Sequence, residues 1–245
     1  MSLDPALLRS MIAAAAQQVM DHADQLTELD QAIGDGDHGI NMKRGCTQVL
    51  ADLDSIVEKP TGEALKAVGM ALVMKVGGAS GPLYGSLFMG MGKALGDRQP
   101  TMAFLPEMLA AGVEAVAARG RSTIGEKTML DVLAPVLDAM QAGGPNLGAR
   151  LREAAARGAA ATIPMRAAKG RASFLGERSV GTWTRARGRV KSSSKPCRLF
   201  WMNARERERL SGDRLAFSRR RARHGRDGAP DGWRRGQGRS LRRQS

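Results

Sequence analysis

Residues 4–29 read Asp4-Pro5-Ala6-Leu7-Leu8-Arg9-Ser10-Met11-Ile12-Ala13-Ala14-Ala15-Ala16-Gln17-Gln18-Val19-Met20-Asp21-His22-Ala23-Asp24-Gln25-Leu26-Thr27-Glu28-Leu29. Leu7, Leu8, Met11, Ile12, Ala15, Val19, Met20 and Leu26 recur at the three- to four-residue interval that lines one face of a helix. Asp4 stands where an N-cap belongs, with Pro5 in the first helical position, whose fixed φ suits a helix start. Similar stripes run through about 40–57, 62–76, 82–96, 103–119, 127–142 and 147–163, each punctuated by glycine, proline or a capping residue. Thr61 is a weak start signal, and Thr101 before an apolar run is a better one. No stretch alternates with period two for long enough to make a sheet. Seven amphipathic helices with short connections predict an all-α fold, an antiparallel bundle or helical barrel.

The chain has 245 residues, enough to bury one good core or two small ones. Its net charge of +14 suggests a polyanionic partner until the charge is located. Residues 1–181 carry 18 Lys and Arg against 19 Asp and Glu, whereas residues 182–245 carry 20 against 5. The basicity belongs to the tail and says nothing about the body. All three tryptophans, Trp183, Trp201 and Trp233, also lie in the tail, as does Cys197, one of two cysteines. One cysteine in each part makes no disulfide framework and favours a reducing compartment. The N-terminus shows no basic region followed by an apolar core, and no uncharged apolar run reaches membrane-span length. These features predict a cytoplasmic body without a membrane partner. The fourteen methionines read as packing residues.

One segment carries chemistry of its own. Asp30-Gln31-Ala32-Ile33-Gly34-Asp35-Gly36-Asp37-His38-Gly39-Ile40-Asn41-Met42 sets three carboxylates within eight positions. Clustered acids repel, so a folded site of this kind calls for a cation. The glycines let the backbone turn tightly enough for unevenly spaced acids to converge. Oxygen-only ligands suit a hard cation such as Mg2+, which shares its shell with water and phosphate. A solvated acidic turn is the plain alternative, since Asp and Gly are turn residues.

Three further segments join it. Val76-Gly77-Gly78-Ala79-Ser80-Gly81-Pro82-Leu83-Tyr84-Gly85 ends one helix and opens the next, where amides and the Ser80 hydroxyl can bind phosphate. Gly125-Glu126-Lys127-Thr128-Met129-Leu130-Asp131 starts a helix that could set Met129 against a base. Lys169-Gly170-Arg171-Ala172-Ser173 offers an arginine in a glycine-flanked loop, able to clamp a phosphate oxygen, and Gly176-Glu177-Arg178-Ser179 follows. Singly, each reads more readily as a helix turn, a core Met or a solvated Arg.

Taken in order, these segments resemble one family, the nucleotide-binding L subunit of dihydroxyacetone kinase, over about residues 1–181. The resemblance implies an all-helical barrel of about eight helices with a nucleotide at one rim. It implies that Asp30, Asp35 and Asp37 hold two Mg2+ ions bridging the phosphates of ADP or ATP. His38, Gly39, Ile40 and Asn41 would line the nucleotide, and Ala79 and Ser80 would meet the phosphates. Gly120 and Met129 would flank the base, and Arg171 would contact the phosphate side. No side chain need act as a nucleophile, because phosphoryl transfer is mostly positioning and charge neutralisation.

The implied activity is transfer of a phosphoryl group through Mg-bound nucleotide, from the phosphotransferase-system M subunit to dihydroxyacetone on the K subunit, giving dihydroxyacetone phosphate. The K and M subunits are the implied partners, and nucleic acid is not expected. The alternatives are an ATP-dependent kinase subunit for a related small ketose or sugar acid, and a basic nucleic-acid-binding module acting through the tail.

The chain departs from the family pattern after Gly181. There the family continues His-x-Asp-Pro-Gly-Ala and a last apolar helix, but this sequence reads Gly181-Thr182-Trp183-Thr184-Arg185-Ala186-Arg187. Gly-Thr-Trp-Thr-Arg-Ala can be written GGC ACC TGG ACC CGG GCG, and one C inserted after the first codon turns it into Gly-His-Leu-Asp-Pro-Gly. The Asp is forced, since Trp-Thr must contain GGAC. The sequence therefore predicts two parts: a nucleotide-binding helical domain at 1–181, and an Arg-rich, out-of-frame and disordered tail at 182–245. It also predicts that the last helix is lost and that the chain as written can be inactive.

Overall fold

A computed structural model of the chain describes residues 4–181. The expectations for 182–245 fall outside the described residues. Within them the fold is all-α, with nine helices, one 3-10 segment and no strand. The helices are α1 (Pro5–Asp21), α2 (Ala23–Gln31), α3 (His38–Ala51), α4 (Leu53–Val57), α5 (Thr61–Lys75), α6 (Ser80–Leu95), α7 (Leu105–Gly120), α8 (Leu130–Gln141) and α9 (Leu147–Ala161), followed by the 3-10 segment Arg171–Ser179.

Asp4 caps α1 as its sequence implies, accepting a hydrogen bond from the Ala6 amide at 3.1 Å. Two of the seven stripes each divide into two helices. The first breaks at His22, which leaves helical geometry at φ −109°, ψ 12° while its ring Nδ1 lies 2.8 Å from the Gln18 carbonyl oxygen. The second breaks at Asp52, whose carboxylate accepts from Gln48 and whose carbonyl accepts from the Ser55 hydroxyl. Asp and Ser compete with the helical backbone for hydrogen bonds, which explains a break that apolar spacing does not register. Thr101 does not cap α7. It closes a turn by accepting from the Phe104 and Leu105 amides, and the helix begins at Leu105 with Pro106 in its first turn.

The helices pack in a series: α1 on α3, α3 on α5, α5 on α6, α6 on α7, α7 on α8 and α8 on α9. The tightest pair is α5 with α6. A Cβ on Gly69 would lie 2.7 Å from the Gly85 carbonyl oxygen, and one on Gly85 would lie 2.8 Å from that of Gly69. Any side chain at either position would push the two backbones apart.

Two apolar clusters result. The first, from α1, α3, α4 and α5, buries Leu8, Met42, Val49, Leu53, Ile56, Val57, Ala64, Val68, Leu72 and Val76. The second, from α6, α7 and α8, buries Leu87, Leu109, Val116 and Leu130, with Leu133, Val136, Leu137 and Met140 only half-buried against it. Cys46 is buried, and desolvation pushes its thiol up to about 11, so it stays protonated and inert. No described helix is long and apolar enough to cross a membrane.

Candidate functional site

The acidic segment spans the end of α2, the turn after it and the start of α3. The carboxylates of Asp30, Asp35 and Asp37 each present an oxygen, and these oxygens lie within 4.8 Å of one another. Asp30 is half-buried, and Asp35 and Asp37 are exposed. The sequence thus brings together the three acids it names as metal ligands.

Asp30 does more than its spacing suggests. Its Oδ2 accepts from the Asp37 amide at 3.1 Å and the His38 amide at 3.3 Å, so it caps α3 from a distance along the chain. Helix starts leave amides without partners, and a carboxylate there satisfies them and complements the helix dipole. Close crossing of α2 and α3 makes this geometry accessible. A Cβ on Gly39 would overlap the Ala23 carbonyl oxygen, so only glycine fits. The glycine beside His38 therefore shapes the site by bringing the α3 start onto α2.

His38, Gly39, Ile40 and Asn41 form the first turn of α3. His38 Nδ1 lies 3.1 Å from the Ser80 hydroxyl at the first position of α6. Burial lowers the His38 pKa, and the charges of Asp30 and Asp37 partly oppose that. Its imidazole is therefore neutral near pH 7 and can exchange a hydrogen bond with Ser80. Asn41 is buried, and its Oδ1 accepts from Arg44 at 2.9 Å. Arg44 Nε donates in turn to the Lys75 carbonyl at 2.7 Å, fixing α3 to the end of α5. Two helix starts, those of α3 and α6, are thereby drawn together beside the acids.

Arg171 opens the 3-10 segment, and its guanidinium lies 3.0 Å from Asp35 Oδ2. The sequence placed Arg171 in a loop; the structure puts it at the head of a short helical segment held against the acidic turn. Lys127 holds that segment, a role the sequence reading missed. Its ammonium donates to the carbonyls of Ser179 at 2.8 Å, Met165 at 3.3 Å and Ile163 at 3.4 Å. Partial desolvation lowers its pKa, yet three acceptors satisfy its three protons. Glu126 adds a contact to Lys169 at 3.5 Å, and its carbonyl accepts from the Ala168 amide. A Lys preceding Thr-Met was the available signal.

Gly120 ends α7, and Met129 immediately precedes α8. Both border the second core: a Cβ on Gly120 would meet Leu83 at 3.3 Å, and Met129 packs on that core beside Leu83. Leu83 lies one turn beyond Ser80 on α6, so a single helix runs from the acids to this apolar patch. Asp131 shapes the intervening loop, accepting from the Gly125 amide at 2.5 Å and the Thr128 amide at 2.7 Å. A groove of about 410 Å3 lies elsewhere, on α8 and α9, lined by Pro135, Asp138, Ala139, Arg150, Glu153 and Arg157. Its mixed charges resemble ordinary surface, and none of Asp30, Asp35 and Asp37 lines it.

The donor set fits a divalent cation. Three carboxylates face one exposed arginine, so the cluster keeps a negative excess that a hard, oxygen-preferring ion offsets. Adjacent helix starts favour the anionic groups such an ion carries with it.

Residues 32–183 match the family described as the DAK2 domain. The chain is 43% identical over 165 residues to the ADP-binding subunit DhaL of PEP-dependent dihydroxyacetone kinase 1 of Listeria innocua, a match covering 67% of this chain and 81% of that subunit. It is 44% identical over 166 residues to the ADP-binding subunit DhaL of the PEP-dependent dihydroxyacetone kinase of Escherichia coli, covering 65% and 79%. Its fold is similar to that of the dihydroxyacetone kinase of C. freundii, solved in complex with AMP-PNP and Mg2+, with a TM-score of 0.59 at 22% identity over 75% of this chain. This chain spans 33% of that longer kinase.

Proposed function

The chain belongs to the DAK2 domain family, and on that premise we propose that it is the ADP-binding subunit of a dihydroxyacetone kinase. In this reading it carries a phosphoryl group on Mg-bound nucleotide from a phosphotransferase M subunit to dihydroxyacetone held on a K subunit. The supporting observation is the meeting of Asp30, Asp35 and Asp37 within 4.8 Å, next to the starts of α3 and α6.

Each residue then has a physical task. Asp30, Asp35 and Asp37 would hold two Mg2+ ions, which when bound neutralise phosphate charge and align the transferred group. Ser80 and the amides at the start of α6 bind phosphate oxygens, with neutral His38 orienting the Ser80 hydroxyl. Arg171 leaves Asp35 and turns to a phosphate oxygen once the acids have a metal partner. Gly120 and Met129 flank the base, with Met129 supplying a polarizable face to it. The chain contributes positioning and charge, and the nucleotide carries the phosphoryl group.

The test is nucleotide retention. The full chain, purified with Mg2+ and dialysed, should keep ADP and release it when EDTA removes the metal. Phosphorylation of dihydroxyacetone should then require K and M subunits, with ATP unable to replace the M subunit. A chain that melts cooperatively with full helical content yet binds no ADP at millimolar Mg2+ would overturn the reading.

A further inference from the structure

The segment that carries Arg171 has little of the apolar burial that usually fixes a chain in place. Of residues 171–179 only Ser179 is buried, and Phe174, the largest apolar side chain among them, is 88% exposed. The Arg171 side chain is itself 71% exposed, so packing does not aim the guanidinium that meets Asp35. With little apolar area removed from water, the segment depends on polar contacts for its position.

Those contacts converge on Lys127. Its ammonium donates to the carbonyls of Ile163 and Met165, ahead of the segment, and of Ser179, at its end. One side chain thereby closes the loop of residues 163–179, with Arg171 inside it. Carbonyl oxygens gathered at one point repel one another, and an ammonium with three protons offsets that better than a neutral donor. The Gly181 amide closes the same loop on the Ile163 carbonyl at 2.8 Å. The Ser179 hydroxyl donates to the Gly176 carbonyl and accepts from the Ala167 amide.

The backbone of Lys127 is as unusual as its side chain. Its φ of 58° lies in the left-handed region, which a residue with a Cβ enters at a cost. The turn it makes reaches in two directions. Before it, the Glu126 carbonyl accepts from the Ala168 amide, and the Glu126 carboxylate lies 3.5 Å from Lys169. After it, the Thr128 amide donates to the buried carboxylate of Asp131 at 2.7 Å, and α8 follows directly on Met129. A glycine would make this turn without strain but would bring no ammonium to the three carbonyls.

We propose that Lys127 is a positioning residue for the nucleotide. Its side chain holds Arg171 over the acidic turn and its backbone sets the turn that leads to Met129, so the phosphate side and the base side of the site are tied together. The inference rests on the reading of the three acids as a metal and nucleotide site, and it gives Lys127 no contact with the nucleotide itself.

The experiment is a double-mutant cycle on the full chain: the parent, Lys127→Met, Arg171→Ala and the two together. Two ligands are titrated. Mn2+ alone is followed by the paramagnetic resonance of the free ion, and ADP at saturating Mg2+ by calorimetry. Without nucleotide, the Arg171 guanidinium competes with a metal for Asp35, so Arg171→Ala should bind Mn2+ about threefold more tightly, the strength of an exposed ion pair. Lys127→Met should tighten Mn2+ binding by a similar factor, and the double variant by no more than either. With ADP the sign reverses. Each single variant should bind about tenfold more weakly, for loss of a charge-assisted phosphate contact, and the double variant about tenfold rather than about a hundredfold.

A lysine that merely stabilises the fold would weaken both ligands on removal, and its effect would multiply with that of Arg171. Mn2+ binding unchanged or weakened in Lys127→Met, or a loss of about a hundredfold for ADP in the double variant, overturns the proposal. A folded parent that holds no ADP breaks the functional reading instead, and the Mn2+ cycle still decides the role of Lys127. Lys127→Gln takes the place of Lys127→Met if the latter lacks the parent's helical signal.

Discussion

The two halves of the molecule use the same kind of helix and finish their cores differently. In the α1–α5 half the stripes meet on several sides, leaving Ile56 2% and Ala64 0% exposed. In the α6–α9 half, α8 carries a stripe of comparable strength and buries fully only Leu130 and Asp131. The stripe alone does not determine burial; the number of neighbours a helix finds does. Apolar area left facing water contributes none of the ~25 cal/mol per Å2 that burial supplies, so α8 should be softer than the α1–α5 core.

The largest effect that could break this contrast is a cavity in the first core. Ile56→Ala should cost about 3–4 kcal/mol of unfolding free energy by denaturant titration. Leu133→Ala, which deletes a similar volume on α8, should cost only about 1 kcal/mol, because its site already meets solvent. Equal losses at the two positions would show that the halves are equally packed. Between these lies Lys127→Met, which strips three carbonyls of their donor and should cost about 1–2 kcal/mol. Its loss should also speed amide exchange in residues 163–181, leaving the α1–α5 half unchanged. The smallest stability effect belongs to Asp35→Ala. Its ion pair with Arg171 is exposed, and deleting one of three clustered carboxylates relieves repulsion, so stability should move by less than ~0.5 kcal/mol.

Much of this contrast is legible in the sequence, for a physical reason. Apolar spacing reports which face of a helix seeks cover, and the stripes at 62–76, 82–96 and 147–163 lie close to α5, α6 and α9. Spacing is silent about hydrogen bonds that compete with the helix, so the breaks at His22 and Asp52 escape it, as does the turn that delays α7 beyond Thr101. The three acids are legible because charge repulsion makes their clustering conspicuous. Asp30 as a remote cap of α3, and Lys127 as a clamp on the segment bearing Arg171, depend on tertiary approach that no local interval encodes. The change of composition after Gly181 is equally legible, and the residues that follow it lie outside the described ones.

Asp35→Ala separates folding from function most directly, because its small effect on stability should accompany a large one on binding. Calorimetric titration of ADP into the full chain at saturating Mg2+ should give binding that EDTA abolishes. The Asp35→Ala chain should bind at least about a hundredfold more weakly, a difference of ~2.7 kcal/mol, while melting at nearly the parent temperature in the absence of ligand. If the variant binds ADP as tightly as the parent with the same dependence on Mg2+, the three carboxylates do not form the metal site and the functional account is wrong.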